Sequence, residues 1–174
     1  MAGDIKDKYV ASSTLTTTAL QSLASSQDWT AGWGSASISN LTDLNLDGML
    51  GALFTTHASN RQAGQINIYL IAPLNDTPTW PACSSGTIGT EGAIAFTDTE
   101  ERDAACQLLC SLTVDSTASA VMPFPTRAIA ALFGGEMPTH FVVYVSQNCS
   151  TTTTAGLASS GNAVYYTGKL KQYT

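Results

Sequence analysis

Thr42–Phe54, "TDLNLDGMLGALF", admits two readings that lead to different folds. Asp43, Asn45, Asp47 and Gly48 stand where a calcium-binding helix–loop–helix places its first ligands and its tight turn. A twelve-residue loop starting at Asp43 needs a bidentate carboxylate at its last place, and Phe54 stands there. Its ninth place is Gly51, which has no side chain to offer. Beyond the loop, "GMLGALFTT" alternates like a strand and does not continue as an amphipathic helix. The stretch therefore reads as a turn whose polar side chains bond their own backbone, followed by a core strand with Leu50, Ala52 and Phe54 on one side. No metal site is assigned here, and no cofactor elsewhere.

The same period of two recurs along the chain. "GQINIYLIAPL" sends Ile66, Ile68, Leu70 and Ala72 one way and Gln65, Asn67 and Tyr69 the other, which predicts a half-buried strand ended by Pro73. "HFVVYVSQN" is apolar on both faces and predicts a central strand. "NAVYYTGKLKQY" turns Val164, Tyr166 and Leu170 inward, with Thr167, Lys169 and Lys171 outward. "GAIAFTD" and "ACQLLCSLTV" are shorter candidates, and "LTTTALQSLASS" is read as a Thr-rich strand rather than a short helix. "PTRAIAALFGG" fits either a helical turn stopped by Gly134 and Gly135 or a strand ending in a glycine turn. Turn chemistry marks loops over 59–64, 75–92 and 147–161. The middle loop holds Pro78, Trp80, Pro81 and Cys83, enough apolar bulk to pack on a sheet edge or meet a partner. Seven or eight short strands without alternating helices predict an all-β, antiparallel β-sandwich, jelly-roll-like, with at most short helical turns. One domain over 14–174 follows an N-terminal arm over 1–13.

Bulk properties exclude several functions. The 174 residues are 44% hydrophobic and only 11% charged, against a usual charged share of about 25%. Seven basic and thirteen acidic side chains give a net charge of −6, with no Lys/Arg cluster, so neither nucleic acid nor an anionic membrane is an expected partner. No apolar run approaches the roughly 18 residues of a membrane span. The N-terminus lacks the apolar core of a secretory signal, so the chain reads as soluble and made in a cytoplasm, and the sequons at Asn40, Asn75 and Asn148 as chance products of Thr/Ser richness.

Site chemistry is sparse. The cysteines are Cys83, Cys106, Cys110 and Cys149. On one strand face Cys106 and Cys110 would stand about 13 Å apart, too far for one metal. As a helix end, after a capping-box-like Thr97-x-x-Glu100, they would be neighbours. Only His57 and His140 could complete a metal site, neither at finger spacing, so the thiols read as small buried hydrophobes. His57 reads as a surface residue at a strand end, His140 as a capping or satisfied buried one. Glu100–Asp103 reads as a solvated turn or helix start. There is no G-x-S-x-G elbow and no carboxylate pair across a cleft, so no catalytic residue is assigned and no enzyme is expected. Trp29 and Trp33 in a Gly/Ser-rich loop, Trp80 in a Pro-rich one and Tyr9 in the arm are the candidate interface residues. The alternative for the tryptophans is that they plug the ends of the sandwich.

"RAIAALFGGEMPTHFVVYVSQNCSTT", with "QINIYLIAPLND" before it and "NAVYYTGKLKQY" after it, resembles a group of small virion proteins of tailed bacteriophages. The likeness begins near Leu15 and has four parts. They are a Thr/Ala/Leu/Ser-rich strand (Thr14 to Ser25), a central strand ending in "LNDTPT", Pro123-Phe124 followed by a small-residue run to Gly135, and a proline-led strand from Pro138 to Asn148. The chain departs from that pattern in its four cysteines and in having His140-Phe141 where a Trp is expected. The resemblance implies a β-sandwich that coats or cements the exterior of a phage capsid, bound to the major capsid protein as a homotrimer, after synthesis in the host cytoplasm. The arm, lacking a core of its own, is expected to lie along a neighbouring subunit, the alternative being simple disorder. The competing expectation is a tail- or fibre-associated sandwich that stacks glycans on Trp29, Trp33 or Trp80.

Overall fold

A computed structural model describes residues 5–151 and 154–173. Its elements are β1 (Ile5–Tyr9), β2 (Ser13–Thr14), β3 (Ala31–Gly34), β4 (Ile38–Ser39), β5 (Asp47–Thr55), β6 (Gly64–Ile71), β7 (Ser84–Ser85), β8 (Gly92–Phe96), α1 (Thr99–Ala105), β9 (Gln107–Val114), β10 (Val121–Ala128), a 3-10 turn (Ala130–Phe133), β11 (His140–Gln147) and β12 (Ala163–Tyr173). Sheet one runs β1-β12-β5-β10 with β2 on β12, and sheet two runs β7-β8-β3-β11-β6-β9 with β4 on β11. All these pairings are antiparallel.

The path between the sheets defines the fold. From β2 the chain crosses to β3, back to β5 and again to β6. It stays in sheet two as far as β9, then crosses at each step through β10, β11 and β12. The principal strands thus stand as β2-β12-β5-β10 facing β3-β11-β6-β9, the two Greek keys of a jelly roll. Among these eight strands the one step that stays within a sheet, β6 to β9, carries the insertion β7–β8–α1, which widens sheet two beyond β3.

β5 shows why the opening stretch folds as it does. Its burial alternates residue by residue, with Leu50, Ala52 and Phe54 inward. They meet Phe124, Val164 and Tyr166 of their own sheet and Ile66, Ile68, Leu70, Phe141, Val143 and Val145 of the other in one core. At the turn, Asp47 Oδ1 accepts from Gly48 N at 2.7 Å and from Ala130 N at 2.9 Å. The carboxylate thereby serves two backbone donors, one of them at the 3-10 turn. Asn40, the first of the three sequon asparagines, is buried and brackets the loop, accepting from Asn45 N and donating to Asn45 O.

Several expectations change. β6 is buried on both faces from Ile66 to Ile71, not half-buried, because the insertion covers its outer side. "LTTTALQSLASS" is turn rather than strand beyond Thr14. Ser22 sits at φ 57°, which breaks extension, and Leu20 and Leu23 drop into the core as a plug. "TAGWGSAS" contains β3, not only loop. A Cβ at Gly32 would overlap the carbonyl oxygen of Val145 and the Tyr144 ring, so glycine there serves close strand approach. In "ACQLLCSLTV" a bulge at Leu109 breaks the single apolar face, leaving Leu108 exposed while Cys110, Leu112 and Val114 turn inward. The helix starts one residue later than the spacing suggested: Asp98 caps Glu101 N, and the Glu101 carboxylate accepts from Thr97 N. "PTRAIAALFGG" splits between the end of β10 and the 3-10 turn, stopped by Gly134 at φ 74° and Gly135 at φ 95°. The arm folds onto its own chain, β1 pairing with β12 from Ile5↔Tyr173 to Tyr9↔Lys169. Its first four residues lie outside the described ones.

Candidate interaction surface

The two sheets present very different outer faces. Behind sheet two, the 75–92 loop and the end of α1 pack Trp80, Cys83, Ile88 and Cys106 onto Tyr69, Ile71, Ile94, Phe96, Val142 and Tyr144, a second apolar layer. Arg102 pins this cover down. Its buried guanidinium lies 5.5 Å from the Tyr69 ring centre, donates to Asp28 O at 2.6 Å and pairs with Asp103 at 2.7 Å. The run Glu100–Asp103 is therefore not wholly solvated. Its one cation is an anchor, a role that a lone Arg among acidic residues hints at only weakly.

Among the described residues sheet one has no such cover. The register puts Met49, Gly51, Leu53 and Thr55 of β5 on its outer side. Opposite them stand Thr167, Tyr165 and Ala163 of β12, and Pro123 and Val121 of β10. Val121 is 58% and Tyr165 40% exposed. The same side of the sheet continues through Lys169 and Lys171 to β1. There Asp7 bridges to both lysines, at 3.0 Å to Lys169, and the 57%-exposed Tyr9 ring lies 6.0 Å from Lys169 Nζ. The result is an apolar band, Val121–Pro123–Leu53–Met49–Tyr165–Tyr9, with a small charged cluster at one end. Such an uncovered band is the usual mark of a protein-contact surface.

Of the four residues the sequence nominated for an interface, only Tyr9 lies on this face. Trp33 is corrected outright: it sits on β3, fully buried, and its Nε1 donates to Glu91 Oε1 at 2.7 Å. Trp29 is half-buried at φ 53°, its carbonyl accepts from Tyr144 Oη at 3.1 Å, and its indole Nε1 is buried without a partner. Trp80 is half-buried in the second layer, against Gly89. Trp33 and Trp80 thus take part in packing, Trp33 in the core between the sheets and Trp80 in the layer behind sheet two rather than at the ends of the sandwich. The band is exposed at Val121, Pro123, Tyr165 and Tyr9 and half-buried at Met49 and Leu53; its signal was β5 and β12 being apolar at their outward positions, Met49, Leu53 and Tyr165.

The other candidate residues fall apart in space or into structural tasks. His57 Nδ1 accepts from Ser59 N and Asn60 N, closing a turn. His140 opens β11, buried, with Nδ1 unpartnered rather than satisfied. All four cysteines are free thiols, Cys106 and Cys149 buried, Cys83 and Cys110 half-buried. Cys106 caps the helix end and Cys110 lies beyond the bulge, so the two have separate roles. Burial pushes the Cys106 and Cys149 thiols up to about 12. Among the described residues no three His, Cys, Asp or Glu side chains gather as a metal site, and no helix is long and apolar enough to cross a membrane. A cavity of about 310 Å³ beside β3 and β8 is walled by Ala, Ser, Gly, Leu23 and Ile94, with no titratable group.

Compared with known proteins, the chain matches no family model and none of the curated proteins.

Proposed function

We propose that this chain is a virion structural protein that decorates or cements the outer surface of a phage capsid, with the outer face of sheet one resting on the major capsid protein. The supporting observation is the inequality of the two outer faces: sheet two spends an insertion and a helix on its cover, while sheet one leaves an apolar band open. The resemblance of the sequence to small phage virion proteins points the same way. A lattice of identical capsid sites supplies avidity, so a modest contact at each copy suffices. The glycan-stacking reading loses part of its support, because Trp33 lies in the core and Trp29 and Trp80 are half-buried.

The test is rebinding of purified protein to heads that lack it, scored by co-sedimentation and particle imaging. Val121→Lys and Tyr165→Lys put charge on exposed positions of the band, so they should fold like wild type and bind heads at least tenfold more weakly. Unchanged binding by both variants, or wild-type protein located on tails rather than heads, would refute the proposal.

A further inference from the structure

A sheet that stops presents a row of unpaired backbone N–H and C=O groups, and proteins guard such rows with charge, proline, bulges or brevity. The four edges of this sandwich are unequal. β1 has Lys6, Asp7 and Lys8 among its residues. β10 carries Pro123 and Pro125, which cannot donate, and a register shift between Phe124 and Arg127. β7 is two residues long. β9, by contrast, is eight residues, QLLCSLTV, without a charge or a proline. Among the described residues its backbone pairs with β6 alone. Its bulge at Leu109 disturbs the first part of the edge, and from Cys110 to Val114 the register is regular.

We propose that Cys110–Val114 is a seam at which two copies of this chain join, antiparallel about a two-fold axis, so that sheet two runs unbroken from one copy into the other. An antiparallel edge is its own complement under a two-fold, so no second surface has to be found. Charge favours this edge over the others. Each copy carries −6, and of the two long edges β9 is the one with no charged residue, while β10 carries Arg127 and two prolines.

The side chains fit the same seam. Cys110 and Leu112 are half-buried at the rim of the core, and a second copy extends the apolar layer over them. Ser111 and Thr113 are exposed on the outer side. A two-fold normal to the sheet keeps inner residues opposite inner ones only if the axis passes through a residue of β9 rather than between two. This contact is separate from the open face of sheet one and does not depend on what that face binds. It yields pairs, whereas the resemblance to virion proteins implies trimers, so the mass in solution discriminates.

The full chain is examined by sedimentation velocity and light scattering over rising concentration, with amide exchange read on β9. The variants are Ser111→Lys with Thr113→Lys on β9, and Thr126→Lys on β10 as a control for added charge. All three side chains are exposed, so melting should not change. Wild type and the control should approach the mass of two chains, with β9 amides slowing as concentration rises. The double variant should weaken association at least tenfold. Wild type that stays monomeric at about 100 μM, a mass of three chains, or a dimer indifferent to the double variant would each overturn the seam.

Discussion

Phe54 is the position at which the calcium reading and the strand reading of the chain make opposite demands. Phe54→Glu completes the loop that Asp43, Asn45 and Asp47 begin, and so tests the fold directly. In the structure Phe54 is fully buried between the sheets. Removing an aromatic side chain from such a site costs about 3–5 kcal/mol for Phe→Ala. For a domain of this size that lowers Tm by roughly 6–20 °C, at about 2–4 °C per kcal/mol. Glutamate loses the same packing and adds an unpaired carboxylate in the core, a further cost of several kcal/mol. The sum is comparable with the entire stability of a typical domain, about 5–15 kcal/mol. The expected series in thermal melts followed by circular dichroism is Phe54→Leu slightly destabilised, Phe54→Ala clearly so, and Phe54→Glu unfolded or nearly so. Neither calcium nor EDTA should move the wild-type or Phe54→Leu curve. A cooperatively folded Phe54→Glu protein that calcium stabilises would show that this stretch is a metal loop after all.

Three further outcomes follow from particular contacts. Glu91 Oε1 accepts both the Trp33 indole N–H and Ala19 N, at 2.7 and 2.8 Å; Glu91→Ala should cost about 1–3 kcal/mol in chemical denaturation, Glu91→Gln much less, and equal effects would contradict this assignment. Hydrogen bonds first from Lys171 and then from Lys169 hold Asp7 below the usual carboxylate range. Their contribution is present above the unfolded value of about 3.9 and is lost as pH falls through the lower folded value, so β1 amides should lose protection there, measured against their intrinsic exchange rates. Asp7→Asn should abolish that pH dependence, and its persistence in the variant would assign it elsewhere. With a thiol reagent near neutral pH, at dilution that leaves the chain unpaired, Cys83 and Cys110 should label in the folded protein while Cys106 and Cys149 wait for denaturant; simultaneous labelling of all four would contradict their burial.

The strands legible in the sequence are those whose side chains carry the pattern. β5, β6, β8, β11 and β12 alternate or are wholly apolar, and each lies where the period of two places it. β3 and β10 escaped notice because they are built from glycine and proline, residues that ordinarily mark loops. Gly32 is required by the close pass of β11, and Pro123 and Pro125 are tolerated because β10 is an edge. The segment after Thr14 misled in the opposite sense, since Thr and Ser alternate equally well in turns. The band was hardly legible: the period of two puts Met49 and Leu53 opposite the core residues of β5, but Val121 and Pro123 lie on β10, which was not recognised, and the absence of a cover is not a local property.

By itself, then, the amino-acid sequence determined the class of fold and the inward face of most long strands, because alternation of polar and apolar side chains is a local property of an extended chain. It also decided that Thr42–Phe54 is a turn and a strand, since one phenylalanine occupies the place of a required ligand. Only the tertiary structure decided that Trp33 is core and that Arg102 is an anchor. It alone decided that β1 returns to its own sheet, and that one outer face is covered while the other is open. Those features depend on which strands become neighbours, and crossings between sheets join residues far apart in the chain whose relation no local period records.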